Sequence, residues 1–234
     1  MRVVVTRLQE KEDNTVELFG KYGLEAIVVP TIRSRPPRDS ASLDALLQMV
    51  SGQRIDILIF TSSLGVSKFF EKCDSISSNT TIISVGPKTA QKVNEFGYSS
   101  EVLDSFSSDR FAEYLKDRAR GKIIGIARAG VPNPELVGAL ELLGATVVEG
   151  VCYELESAPN ELKGMISAHK IDAVVITSTK SFLSAGLENT DVSGVVMVAI
   201  GPKTAKGMMD AGVEPDMVGG GTLESCAVLL QDMG

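Results

Sequence analysis

With 234 residues, 44% of them hydrophobic, the chain suits one large domain or two of roughly 115 residues, and either can bury a core without disulfides. A formal charge of −7 argues against nucleic acid or an anionic membrane as the main partner, because both are bound through basic surface. Three isolated cysteines without metal spacing, together with a single histidine, argue against a zinc site or a disulfide framework and suit a reducing compartment.

In chain order, VVVTR (3–7) predicts a buried strand ending on Thr6 and Arg7, followed by a helical ELFGKYG closed by glycine and a second strand, LEAIVV. The start shows no basic stretch followed by a leader-like apolar run, and no apolar run approaches the ~20 residues of a membrane span, so a cytoplasmic protein is expected. The polar TIRSRPPRDSAS then interrupts the pattern, where Pro36 and Pro37 cannot continue a helix or a central strand. IDILIF (55–60) predicts a buried strand ending in Thr61, Ser62 and Ser63, and TIISV leads into GPKTA at 86–90 and a helix. After the helical FAEYLKDRAR comes a strand KIIGIAR ending at Arg128, then RAGVPNPE, a glycine turn with Asn133 as cap and Pro134 near a helix start. A further helix and the strand ATVVEG precede a second polar interruption, YELESAPNE, which opens on Tyr153. IDAVVI (171–176) predicts a strand ending in Thr177, Ser178 and Thr179, and VVMVAI leads into the second GPKTA at 201–205. GGGT (219–222) lacks the spacing and context of a dinucleotide fingerprint and reads as a turn before the last helix. His169 sits in the polar SAHKID and reads as a surface residue.

The repeated GPKTA words lie 115 positions apart and the hydroxyl clusters 116 apart, so the chain is an internal duplication. VVVTR and its following helix also resemble IIGIAR and its following helix, giving the order a, b, a′, b′. Apolar runs without a solvent face, alternating with helical stretches, predict an α/β fold with parallel sheets covered by helices on both sides. The two polar interruptions read as crossings between domains. The expected organisation is residues 1–33 plus 157–234 as one discontinuous domain and 37–152 as the other, with 34–36 and 153–156 as interdomain linkers. The alternative, two consecutive domains divided near Arg120 and Gly121, leaves only GK as a linker, which is short for that purpose.

The hydroxyl clusters stand where strands give way to helices, where such side chains cap helix N-termini. The same geometry offers N–H groups to a carboxylate or phosphate. Capping alone accounts for each cluster; recurrence at the carboxyl ends of parallel strands is what points to a ligand site. In GPKTA, Gly86 and Gly201 provide turns, and Lys88, Thr89, Lys203 and Thr204 fall in the first helical turn. Lysine is not the usual choice at a positive helix end, so it hints at an anion, although a solvated lysine is the commoner explanation. Arg7 and Arg128 can fork onto a carboxylate or make a surface ion pair. Tyr153 could donate a hydrogen bond to a leaving oxygen or pack as a wedge in a hinge.

Together VVVTR, KYGLEAIVVP, IFTSSLGV, the VGPKTA and AIGPKTA turns, and GATVVEGVCYE followed by the second TST segment resemble the uroporphyrinogen-III synthase family over nearly the whole chain. The resemblance implies two flavodoxin-like α/β domains joined by a two-stranded linker, with an active site in the cleft between them. It implies a hydro-lyase that cyclises the linear tetrapyrrole hydroxymethylbilane to uroporphyrinogen III, losing water and inverting ring D, in tetrapyrrole and heme biosynthesis. No cofactor or metal, no nucleic acid and no membrane is implied, and a monomer is expected. Tyr153 matches the tyrosine of the family's crossing segment and Thr89 the threonine of its first glycine turn, which implies that Tyr153 assists departure of the hydroxyl and Thr89 orients the substrate. The surrounding strand-end set, Thr6, Arg7, Thr61, Ser62, Ser63, Gly86, Lys88, Arg128, Ser178, Thr179, Gly201, Lys203 and Thr204, is expected to bind substrate. Many bacterial members have an RGxxGR-like segment where this chain has RAGVPNP, so a direct role for Arg128 is weakened. The rival reading from another class is a two-domain binding or sensory protein that closes on a small molecule without chemistry.

Overall fold

A computed structural model describes residues 1–10, 14–103 and 110–233. The chain begins with β1 (Arg2–Leu8), α1 (Thr15–Gly20), β2 (Glu25–Arg35), α2 (Ala41–Ser51) and β3 (Ile57–Phe60). There follow α3 (Ser63–Phe70), β4 (Thr81–Ser84), α4 (Pro87–Glu95), β5 (Glu101–Val102) and α5 (Phe111–Leu115), which runs into a 3-10 turn at Lys116–Ala119. Then come β6 (Ile123–Ala129), α6 (Pro134–Leu142), β7 (Thr146–Ser157), α7 (Leu162–Ser167) and β8 (Ala173–Ile176). The chain closes with α8 (Thr179–Ser184), β9 (Val196–Ala199), α9 (Pro202–Asp210), β10 (Met217–Val218) and α10 (Leu223–Gln231). Among the described residues no helix is long and apolar enough to cross a membrane.

Two compact units result, Met1–Ser34 with Glu156–Gly234, and Arg35–Leu155. Extended strand runs through both crossings, since β2 continues to Arg35 and β7 to Ser157. Charges within both segments pair between these strands. Arg33 donates to Glu156 at 2.7 Å within the first unit, and Arg35 is bound to Glu154 within the second.

In the first unit the strand order is β2-β1-β8-β9-β10, all parallel. Counted within the unit this is 2-1-3-4-5, the flavodoxin-like order. The second unit runs β7-β6-β3-β4-β5, again parallel. It has the same spatial order, but its chain enters at the third place, so the last two strands in sequence fill places two and one. Each sheet therefore has one position where successive crossovers leave on opposite sides: between β1 and β8, and between β6 and β3. At such a point the loops diverge beyond the carboxyl strand ends and leave room for a ligand.

The cores follow from the apolar runs. Val3, Val4 and Val5 are fully buried, so β1 has no solvent face, and β3 and β8 are buried along their whole length. In the second unit α2 lies on the sheet through Leu46. A side-chain carbon on Gly125 would meet Leu46 Cδ1 at 2.7 Å, and one on Gly150 would meet Leu46 Cδ2 at 2.6 Å. Two glycines thus make the slot that receives this leucine.

Candidate functional site

Proline and glycine place the helix starts. Pro87 and Pro202 stand in the first turns of α4 and α9, where a missing N–H costs nothing, and Gly86 and Gly201 precede them in extended conformation. The Thr89 N–H bonds back to the Gly86 carbonyl at 3.0 Å, and the Thr204 N–H to Gly201 at 3.1 Å. Lys88 and Lys203 are exposed, whereas Thr89 and Thr204 are buried. Each GPKTA turn therefore presents one charged side chain to solvent and draws its hydroxyl inward. Gly201 also lies under the GGGT loop: the Gly221 N–H bonds to the Ile200 carbonyl, and a Cβ on Gly201 would meet the Gly221 Cα at 3.4 Å. That loop is bonded to the strand end rather than simply leading into α10.

At the switch point of the first unit, Thr6 and Thr177 lock the ends of β1 and β8 together. The Thr177 hydroxyl donates to the Thr6 carbonyl at 2.6 Å, and the Thr177 N–H donates to Thr6 Oγ1 at 3.1 Å. Thr6 is fully buried, so its hydroxyl serves the sheet. Ser178 caps α8, accepting the Ser181 N–H at 3.0 Å, with the two serine hydroxyls 2.9 Å apart. Thr179 packs against α9, since a Cβ on Gly207 would meet its Oγ1 at 2.2 Å. Arg7 is buried at the end of β1, and removal from water holds its guanidinium below the ordinary arginine value.

The second unit brings a different set together. Tyr153 lies in β7 opposite Ala129, just past an irregularity at Arg128 and Ala129, and its carbonyl accepts the Gly130 N–H at 2.7 Å. The ring is buried among Phe60, Val66 and Cys152, while Oη lies 3.2 Å from Ser62 Oγ in a partly buried hydrogen bond. Ser62 caps α3 by accepting the Gly65 N–H at 3.0 Å. Thr61 faces the Ala127 carbonyl at 3.5 Å, and Ser63 begins α3 with its carbonyl accepting from Ser67. Arg128 is bound to Glu149 through Nε and donates from Nη1 to the Ala129 carbonyl at 2.8 Å. Thr61, Arg128, Ala129, Asn133 and Glu149 line a cavity of about 100 Å³ beyond β6. Asn133 caps α6 there, accepting the Leu136 N–H at 3.1 Å. His169 is exposed. Among the described residues no cluster of three or more His, Cys, Asp or Glu is placed to hold a metal ion.

The family model described as uroporphyrinogen-III synthase HemD matches residues 13–220. The chain belongs to the uroporphyrinogen-III synthase family. A uroporphyrinogen-III synthase of Chlorobaculum parvum is 25% identical over 233 residues, covering 92% of each chain. Two solved members share the fold. The crystal structure of a mutant uroporphyrinogen III synthase from the extremely thermophilic bacterium Thermus thermophilus has a TM-score of 0.64 and 21% identity, over 99% of this chain and 96% of that one. The crystal structure of uroporphyrinogen-III synthetase from Helicobacter pylori has a TM-score of 0.66 and 16% identity, covering all of both chains.

Within this uroporphyrinogen-III synthase family member, Gly65, Glu149, Thr177 and Ser181 belong to the strand-end clusters although absent from the sequence-based binding set. Gly65 and Ser181 are visible in the duplication, as the third residue after Ser62 and after Ser178. Glu149 carries no motif and reaches Arg128 only through the pairing of β6 with β7.

Proposed function

We propose that the protein cyclises hydroxymethylbilane to uroporphyrinogen III, acting as a hydro-lyase in porphyrin biosynthesis, and that Tyr153 assists departure of the hydroxyl. The observation that carries this reading is the Tyr153 Oη beside the capping serine Ser62, at the carboxyl end of the β3–β6 switch point, in a chain matched by the family model over 13–220. The reaction needs little from the protein in acid–base terms. Protonation of the hydroxymethyl oxygen releases water and leaves an electrophilic azafulvene conjugated to the pyrrole. Attack through a spiro-pyrrolenine then turns the last ring, and the final ring closure releases a proton. Unassisted closure gives the uninverted isomer, so the main task is to hold the chain of four rings in the productive shape. Such positioning is worth roughly 7 to 11 kcal/mol of barrier, which suits a site with few titratable groups.

The substrate carries eight carboxylates, and the protein is net acidic. Local donors resolve the conflict, because charges beyond the screening length of about 8 Å count for little at physiological salt. Lys88 and Lys203 supply exposed positive charge, and the helix starts at Ser63, Gly86, Thr179 and Gly201 supply backbone N–H groups. Thr89, buried in the first turn of α4, orients the substrate in this reading by holding the turn that carries the exposed Lys88. Thr6 and Thr61 hold the strand ends, Ser178 and Thr204 hold the helix starts that present these donors, and Arg7 adds a buried charge at the end of β1. The reading calls for no cofactor.

The test is chromatography of the oxidised products after the purified protein meets freshly generated hydroxymethylbilane without added metal or nucleotide. Predominant type III isomer is the expected result. A type I distribution matching the no-enzyme control, with substrate still bound, would point to a binding protein without chemistry.

A further inference from the structure

The two halves of the duplication use the same serine differently, and the difference falls beside Tyr153. Ser62 and Ser178 stand 116 positions apart, each as the N-cap of the helix following its strand. Ser178 Oγ accepts the Ser181 N–H at 3.0 Å and lies 2.9 Å from the Ser181 hydroxyl, so among the described residues its hydrogen bonding is contained in one turn of α8. The matching residue in the other half is Gly65. It gives the same 3.0 Å N–H bond to Ser62 Oγ but brings no side chain, and Tyr153 Oη takes the second position, 3.2 Å from Ser62 Oγ.

Backbone conformation does not call for this glycine. Gly65 lies within α3 and is not among the positive-φ residues. A glycine inside a helix is less stable than alanine, so its presence needs a side-chain reason. The space supplies one: a Cβ on Gly65 would stand 3.0 Å from Ser62 Oγ. Any larger residue presses on the oxygen that Tyr153 uses, and a serine would offer it the partner seen at Ser181.

We infer that Gly65 is a positioning residue that reserves the Ser62 hydroxyl for Tyr153, and that Ser62 donates its proton to the phenol oxygen. The inference rests on the proposed role of Tyr153 as proton donor. The Gly65 N–H, at the positive end of α3, polarises the Ser62 hydroxyl and makes it a better donor. Tyr153 then gives its own proton to the hydroxymethyl oxygen as the carbon–oxygen bond breaks. Water and a tyrosinate result, with the positive charge on the azafulvene. The Ser62 hydroxyl stabilises the tyrosinate until the proton lost from the pyrrole α-carbon, when the closing ring regains aromaticity, returns to it. Ser62 and Gly65 act through Tyr153 and touch no reacting atom.

The experiment compares Gly65→Ser, Tyr153→Phe and the pair of changes combined, by steady-state kinetics and thermal melting. Gly65→Ser should lower kcat about tenfold or more, the scale of one hydrogen bond to a charged group, with KM nearly unchanged and the melting temperature equal or higher. Added to Tyr153→Phe, it should change kcat by less than about twofold, because the group it acts through is gone. Should Gly65→Ser fail to fold, Ser62→Ala and Ser62→Thr make the same test: the alanine should lose kcat, and the threonine, which keeps cap and hydroxyl, should restore it. Normal turnover in Gly65→Ser alongside an impaired Tyr153→Phe overturns the positioning role and leaves the role of Tyr153 standing. Equal losses from Gly65→Ser in both backgrounds overturn it as well. Normal turnover in Tyr153→Phe overturns both proposals.

Discussion

The guanidinium of Arg128 is bound to the carboxylate of Glu149 on the neighbouring strand, and its second nitrogen is held by the Ala129 carbonyl. A strand-end arginine that reads in sequence as a carboxylate fork is therefore already engaged by the protein's own carboxylate. The pair lies beside the small cavity beyond β6, with only 13% of the arginine side chain exposed. We expect Arg128→Ala and Glu149→Gln each to lower stability by about 1.5 to 3 kcal/mol, the range for hydrogen bonds to charged groups. The double change should cost less than the sum of the two, and kcat/KM should stay within about twofold for Glu149→Gln. Urea unfolding and kinetics on the three variants check this. A clear fall in KM on Glu149→Gln would instead mean that freeing Arg128 creates a substrate donor.

The fit of α2 on its sheet gives a second expectation. Gly150→Ala should destabilise the unit Arg35–Leu155 by about 1 to 3 kcal/mol, since its new carbon would sit 2.6 Å from Leu46 Cδ2. Shortening the intruding side chain with Leu46→Val should recover part of that loss in the double variant, although Leu46→Val alone is destabilising. Purely additive losses in thermal melts would show that the contact is not the cause.

How much of this was legible beforehand depends on whether a feature is local. The hydroxyl clusters, the proline-started helices and the Asn133 cap are readable because each depends on a few consecutive residues, and the duplication shows all of them twice except the Asn133 and Pro134 start of α6. The buried runs VVV, ILIF and AVVI predict parallel strands for the same reason. The partners of Arg128 and Ser62 are not readable in this way. Glu149 and Tyr153 arrive from β7 through parallel pairing, and a shift of one residue in that register would turn each to the opposite face. The permuted entry of the second unit, which makes β6 and β7 the first two places of its sheet, likewise follows from long-range pairing rather than from any single segment. The contrast between Gly65 and Ser181 stood in plain view in the two copies, but it acquires meaning only once Tyr153 is known to lie beside one of them.

Stability should fall in alkaline solution because of two buried thiols. Burial pushes the Cys152 thiol up to about 12 and the Cys226 thiol up to about 11. An unfolded thiol ionises at about 8.5. Below that pH both states keep their protons and the thiols are neutral in effect. Between about 8.5 and the folded values only the unfolded chain loses protons, so stability drops by up to about 1.4 kcal/mol per pH unit for each thiol. Urea unfolding from pH 7 to pH 10 should show this slope, and Cys152→Ala with Cys226→Ala should flatten it around a lower starting stability. An unchanged slope in that double variant would assign the alkaline loss to other groups.

Lys88 and Lys203 give the sharpest test of how an acidic protein would hold the eight carboxylates of the proposed substrate. Both are exposed in the first turn of a helix, α4 and α9, where the helix dipole disfavours a cation and favours an anion. A lysine there lowers local stability slightly and is useful when an anion also arrives, because the backbone N–H groups and the ammonium then act on the same charge. Neither lysine forms an ion pair among the described residues, unlike Lys68 with Glu71 or Lys92 with Glu95. We expect Lys88→Ala and Lys203→Ala each to raise KM about two- to fivefold at physiological salt with kcat unchanged, the signature of binding energy shared equally by substrate and transition state. Because both lysines are exposed, raising the salt concentration should raise the KM of the unsubstituted protein and narrow its gap to the variants. KM values that match the unsubstituted protein at low salt would make both lysines ordinary solvated side chains, and the carboxylates would then have to be held by the backbone donors and hydroxyls of the turns alone.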